Sequence, residues 1–173
     1  YQSRFPSTIP QYITGFSLYF IYMLDALERN RGEHTFIKKY LGTIQTIISA
    51  FEEMKRADGL LGKNEYWNFI DWADGWEEGH GVPPSKVGDA LTVLNLMYAY
   101  ALHTAARLFK LFGRNDTSLE YEENAQTIKT LVKKICYCKK TGLYAYTDQK
   151  DSFSQHAQIW AVLCQLDDPE AGR

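Results

Sequence analysis

The chain alternates helices that lack a polar face with helices that have one, and this order restricts its fold more than any other feature. Five helices are expected, at about Tyr12–Asn30, Glu33–Arg56, Ser85–Phe112, Thr117–Lys139 and Ser152–Leu166. In the second, Ile37, Tyr40, Leu41, Ile44, Ile47, Ile48, Phe51 and Met54 recur at the helical period, with Lys38, Lys39, Glu52 and Glu53 between them. In the fourth, Ala125, Ile128, Val132 and Ile135 form one stripe. The other three differ. The first carries no charge from Gly15 to Leu24, the third none from Ala90 to Leu102, and the fifth is apolar nearly all round from Ala157 to Cys164. A helix that is apolar all round is covered on several sides. The order is therefore buried, amphipathic, buried, amphipathic, buried, which describes hairpins with one helix inside and one outside. Pro83-Pro84 precede the third helix, Ser85 is its expected N-cap, and Gly113 ends it. The fifth stops before Asp167-Asp168-Pro169, and no segment reads as a sustained strand.

A weak internal repeat supports the hairpin reading. "LYFIYMLDALERNRG" (18–32) resembles "LMYAYALHTAARLFKLFG" (96–113). Each leads through an amphipathic helix to a matching turn, "RADGLLG" (56–62) and "KKTGLYA" (139–145), with Gly59 and Gly142 in equivalent places. Units of this length predict an all-α solenoid or a closed α/α toroid; tetratricopeptide and ankyrin repeats are shorter, at about 33 to 34 residues. The connections are unequal. Those after the buried helices are short (Arg31-Gly32, and Gly113 to Asp116), while Gly59 to Pro84 and Lys140 to Asp151 are long. Alternate connections in a hairpin array emerge at opposite ends, so both long ones share one end. Long structured loops in a compact domain are usually functional, which makes that end the working face.

Composition sets the outer limits. A chain of 173 residues with 45% hydrophobic content can build one core, as one domain or part of one. A net charge of −2 without blocks of like charge argues against binding to nucleic acid or to a membrane surface. The uncharged run from Phe5 to Leu24 holds Pro6, Pro10, Gly15 and hydroxyl residues, as a core helix with a lead-in loop does and a membrane span does not. The start, without Met and rich in Ser and Pro, leads us to expect a segment of a longer protein, a single partial domain over 1–173. Cys136, Cys138 and Cys164 are expected as plain thiols, because Cys136-x-Cys138 lacks zinc-site spacing.

Three of the four tryptophans lie in "WNFIDWADGWEEGHG" (67–81), on the long loop. A core would disperse them; a sugar-binding surface gathers them. A sugar ring offers an apolar C–H face for an aromatic ring and a rim of hydroxyls for a carboxylate. Asp71 and Trp72 are the leading candidates. Trp76 extends the platform, Trp67 is a further candidate for binding substrate, and one of Trp67 and Phe69 anchors the loop. Asp74, Glu77 and Glu78 are weighed as catalysts and set aside. Carboxyls that act as an acid–base pair need rigid support, which neighbours on one loop lack. His80 beside Glu77 and Glu78 supplies too few ligands for a metal, with His34, His103 and His156 distant in sequence. Gln155-His156, at the working end, fits either a sugar contact or a capping or core role. Gly79-His80-Gly81 is too short to cradle a phosphate, so no cofactor is expected. Asp167-Asp168 is a lone pair, poorer than the metal-binding clusters of helical prenyl-transfer enzymes.

The succession "RFPSTIPQYITGFSLYFIYMLDALERNRG", "DGLLGKNEYWNFIDWADGW", "ALTVLNLMYAYALHTAARLF" and "SQHAQIWAVL" resembles the catalytic α/α toroid of the bacterial α-L-rhamnosidases, an inverting glycoside hydrolase family. The resemblance covers essentially the whole chain, and "YWNFIDWADGW" carries most of it. It implies a six-hairpin barrel of which this chain is the middle, from a periplasmic or secreted parent that removes terminal α-L-rhamnose from a glycan. It places the general acid upstream of Tyr1 and the water-activating glutamate downstream of Arg173, and it puts Asp71 and Trp72 in the pocket for the terminal rhamnose. It also implies that the chain alone is inactive and, with helices 1 and 5 exposed, a homodimer. The alternative is a non-catalytic helical-hairpin repeat that binds a peptide; such a repeat keeps its recognition residues on helix faces, not on one loop.

Overall fold

The computed structural model of the protein describes residues 2–4, 6–76, 78–86 and 88–166. Its helices are α1 (Phe16–Arg31), α2 (His34–Lys38), α3 (Leu41–Glu53), α4 (Thr92–Leu111), α5 (Asn115–Cys136) and α6 (Gln155–Leu163). The strands β1 (Tyr137–Cys138) and β2 (Leu143–Tyr144) form a small antiparallel ladder. No helix among the described residues is long and apolar enough to cross a membrane.

α4 is the axis of the fold. It packs against α1, α3, α5 and α6, and it is buried along nearly its whole length. The rings of Tyr22 (α1), Tyr100 (α4) and Trp160 (α6) meet with centroids 5.3 to 6.3 Å apart, joining the three apolar helices. α3 and α5 apply their single apolar stripes from outside through Ile44, Ile47, Ile48 and Phe51, and through Ala125, Ile128 and Val132. Tyr98 of α4 stacks on Phe51 and donates its hydroxyl to Glu52 at 2.6 Å, which locks α3 to the centre. The two apolar flanking helices are less covered than an all-round apolar sequence suggests. Tyr19 and Met23 on α1, and Ile159, Val162 and Leu163 on α6, are exposed.

The Gly59 and Gly142 turns do match. Both glycines have positive φ (86° and 71°), and each closes a tight antiparallel turn directly after an outer helix. Helix ends differ from expectation where loop pairing claims the backbone. The expected helix from Glu33 to Arg56 breaks at Lys39-Tyr40, where Tyr40 leaves helical geometry and packs on Phe20 and Phe36. Ile37 and Ile44 remain fully buried on either side of the break, so the periodicity survives it. The third helix begins at Thr92, not Ser85, and Ser85 caps nothing. Ala90 and Leu91 are extended and bridge to Gly62 and Thr147. Likewise Tyr12 and Ile13 pair with Gln2 and Trp67 before α1 begins. α6 starts at Gln155, with the Ser154 side chain accepting from Ala157 N at 3.2 Å. Asp167-Asp168 lies outside the described residues.

Candidate functional site

The segments 54–91 and 137–154 lead into the N-terminal ends of α4 and α6 and are bonded to each other, so both long loops do occupy one end. Asn95, in the first turn of α4 and fully buried, accepts from Leu61 N and donates to Leu61 O and Leu91 O, each at 2.8 Å. The Arg56 guanidinium donates to Gly88 O at 2.7 Å and to Asp148 at 3.0 Å, and Asp148 accepts from Ala90 N at 3.2 Å. Thr92 N and Oγ1 donate to Tyr146 O and Ala145 O. One asparagine and one arginine thereby turn two loops into a plate across the helix ends.

The aromatic-rich stretch hangs from this plate. Trp67 bonds through its backbone to Tyr12 O and Thr14 N, and its indole N–H donates to His80 O at 3.0 Å, so Trp67 is the anchor. The chain then doubles back, with Ile70 N and Asp71 N both donating to Gly81 O. Gly81 has φ +79°, and a Cβ there would lie 2.5 Å from the Phe69 ring and 2.9 Å from Asp71 O. Only glycine allows this close return.

The hairpin presents Asp71. One carboxylate oxygen accepts from Trp72 N at 2.8 Å, and the other lies 3.1 Å from His156 Nε2 in the first turn of α6. The His156 ring packs 5.4 Å from Trp76, which also lies 6.3 Å from Tyr146. Trp72 is 68% exposed, tilted against Phe69 (5.3 Å) and edge-on to Trp67 (6.1 Å). Beside this group runs a groove of about 640 Å³ between α1 and α6, lined by Tyr19, Met23, Phe69, His156 and Trp160 among others. Burial, and then the nearby Asp71 carboxylate, raise the Tyr19 phenol above its ordinary range.

Of the residues singled out from sequence, Asp71 and Trp76 converge through His156. Trp72 shares the loop and caps the Trp67–Phe69 pair. Asp74 and Glu78 are exposed on the loop, and Glu77 lies outside the described residues. His80 is exposed with φ +50°, and among the described residues no group of three or more His, Cys, Asp or Glu is placed to hold a metal. His156 is the participant that sequence reasoning left undecided, and Tyr19 the one it missed. Both sit in the first turns of apolar helices, where only the spatial order of the hairpins brings them to Asp71. The arrangement offers aromatic faces beside a fixed hydrogen-bond acceptor, a combination suited to holding a ring that has an apolar face and a hydroxylated rim.

Known proteins share this fold. The family model of the bacterial α-L-rhamnosidase six-hairpin glycosidase domain matches residues 6–172. A family 78 rhamnosidase of Bacillus sp. GL1 superposes on 98% of the chain with a TM-score of 0.82 at 19% identity. A rhamnosidase from Klebsiella oxytoca, solved with rhamnose bound, superposes on 96% with a TM-score of 0.77, also at 19% identity. At that identity the two establish the fold. The chain spans 17% and 30% of their lengths. No curated protein sequence matches significantly. The match over almost its entire length makes the chain a member of the bacterial α-L-rhamnosidase six-hairpin glycosidase domain family.

Proposed function

We propose that this chain is the middle part of a six-hairpin domain in a glycoside hydrolase that releases terminal α-L-rhamnose from glycans or glycosides, and that it supplies sugar-binding residues. The observation that carries the reading is the fixed Asp71 carboxylate, held by Trp72 N and His156 with Trp76 packed against the same imidazole. A carboxylate with both oxygens engaged has a defined orientation and keeps lone pairs for the hydroxyls of a sugar. Family membership and a similar rhamnosidase with rhamnose bound support the sugar identity.

The reaction is single-step inversion, in which a carboxylic acid protonates the leaving oxygen and a carboxylate activates water on the opposite face. Both catalytic carboxyls lie outside residues 1–173 in this reading, so Asp71, Trp72 and Trp76 bind and orient the ring. The test is hydrolysis by the full-length protein of matched α-L-rhamnosides and α-D-glucosides, with Asp71→Asn alongside. Rhamnoside-selective turnover, lost at least a hundredfold in a folded Asp71→Asn protein, is expected. Release of a different sugar, or full activity in Asp71→Asn, would overturn the assignment.

A further inference from the structure

We propose that the working face carries a second saccharide subsite, in the cleft lined by Tyr12, Glu65, Tyr66, Trp67, Trp72 and His80, and that it takes the sugar on the leaving-group side of the scissile bond. The proposal rests on the functional reading above.

The cleft has a volume of about 670 Å³, within the range of small-molecule sites. It adjoins the Tyr19–His156 groove across one aromatic cluster: Phe69 lines the groove, Trp67 and Trp72 line the cleft, and Phe69 touches both. A glycan whose terminal ring lies at Asp71 extends past Trp72 into the next available space. The rings here are not stacked in parallel. Tyr12 meets Tyr66 at 66° and Trp72 meets Trp67 at 63°, edge-to-face contacts that leave one face of each pair's outer ring open to the cleft. Tyr12, Tyr66 and Trp72 are 46%, 45% and 68% exposed. The frame beneath them is fixed, because Trp67 is bonded on both backbone edges and through its indole N–H.

Polar groups alternate with the rings: Gln11, Glu65 and His80 line the same walls. This favours a hydroxylated ring over a packing helix. The larger groove between α1 and α3, about 940 Å³, makes the contrast. It shares Tyr12 and Tyr66 with the cleft, but its other walls, with Ile13, Thr43, Thr46, Ile47 and Phe51 among them, carry no carboxylate and read as a surface for packing.

The test compares two substrates of the full-length protein: α-L-rhamnosyl fluoride, whose leaving group fills no subsite, and a rhamnosyl disaccharide. Tyr66→Ala and Glu65→Gln are both examined, with melting temperature as a folding control. Each is expected to lower kcat/KM on the disaccharide at least tenfold and on the fluoride less than twofold. Equal losses on both substrates, or no loss on either, would overturn the subsite and leave the functional reading standing. A fall in melting temperature with no preference between substrates would identify the cleft as a packing surface. Turnover of neither substrate by the unsubstituted protein would overturn the functional reading, and the subsite with it.

Discussion

Asp71 and Trp72 are neighbours in sequence but depend on different supports, and the difference is measurable. Trp72 is mostly exposed, so Trp72→Ala removes a stacking face without opening a cavity. In the full-length protein we expect activity on rhamnosides to fall by about 1 to 3 kcal/mol in kcat/KM, with a melting temperature within about 2 °C of the parent. A sharp drop in melting temperature with activity per folded molecule intact would make Trp72 a core residue. His156 acts on Asp71 through one nitrogen. His156→Ala should raise KM more than tenfold with a smaller change in kcat, and His156→Gln, which keeps a donor, should recover most of it. Equal effects of both variants would point to packing against Trp76. The cysteines separate by the same logic. Burial pushes the Cys136 thiol up to about 11 and Cys164 up to about 12, whereas hydrogen bonding from Thr141 lowers the half-buried Cys138 thiol. The thiolate is the nucleophile, and a raised pKa keeps the thiol protonated at pH 8. A disulfide reagent at that pH should therefore modify one thiol quickly and the other two only after denaturation.

At the level of elements, the chain's apolar periodicity located every helix, because an apolar stripe on one side and an unbroken apolar run are both direct consequences of what covers a helix. It did not locate their starts. Thr92 begins α4 because Ala90 and Leu91 are used in pairing with Gly62 and Thr147, partners remote in sequence. Nothing local at Ser85 reveals that competition; a proline pair followed by serine is a sound helix signal wherever no loop claims the next residues. The candidate site was legible only as a cluster of residue types. The clustering of tryptophans on a long loop pointed to Asp71, Trp72 and Trp76, while Tyr19 and His156 reach Asp71 only through the packing of α1 and α6 beside α4. Asn95 was invisible for a related reason: it sits inside an uncharged helical run and reads as a tolerated polar residue. Asn95→Leu is expected to destabilise the protein by about 3 kcal/mol, since it leaves the buried Leu61 N–H without its acceptor and frees the plate from α4. Denaturant unfolding of the variant would measure this. A loss under about 0.5 kcal/mol would mean that the loop plate holds itself together without Asn95.

For the whole molecule, the uneven covering of α1, α4 and α6 becomes a statement about association. α4 has neighbours on all sides, while α1 exposes Met23 (67%) and α6 exposes Ile159, Val162 (69%) and Leu163. In a closed ring of hairpins each apolar helix lies between two others, and these are the faces that adjoining hairpins would cover. The 173-residue chain on its own must leave them in water or cover them with another copy. Apolar surface removed from water stabilises by about 25 cal/mol per Å², so a few hundred Å² on each face yields several kcal/mol in favour of pairing. A two-fold arrangement covers like with like and closes without leaving a growing end. Sedimentation velocity of the isolated chain at micromolar concentration is therefore expected to give a dimer. Met23→Glu combined with Val162→Glu should convert it to a monomer, because a carboxylate at each face must be desolvated on pairing. The same chain should turn over no aryl rhamnoside in either state, as both catalytic carboxyls lie elsewhere in the proposed mechanism. A dispersed monomer that binds no hydrophobic dye would show that α1 and α6 are complete as they stand, and would remove the reason for placing them among the inner helices of a ring.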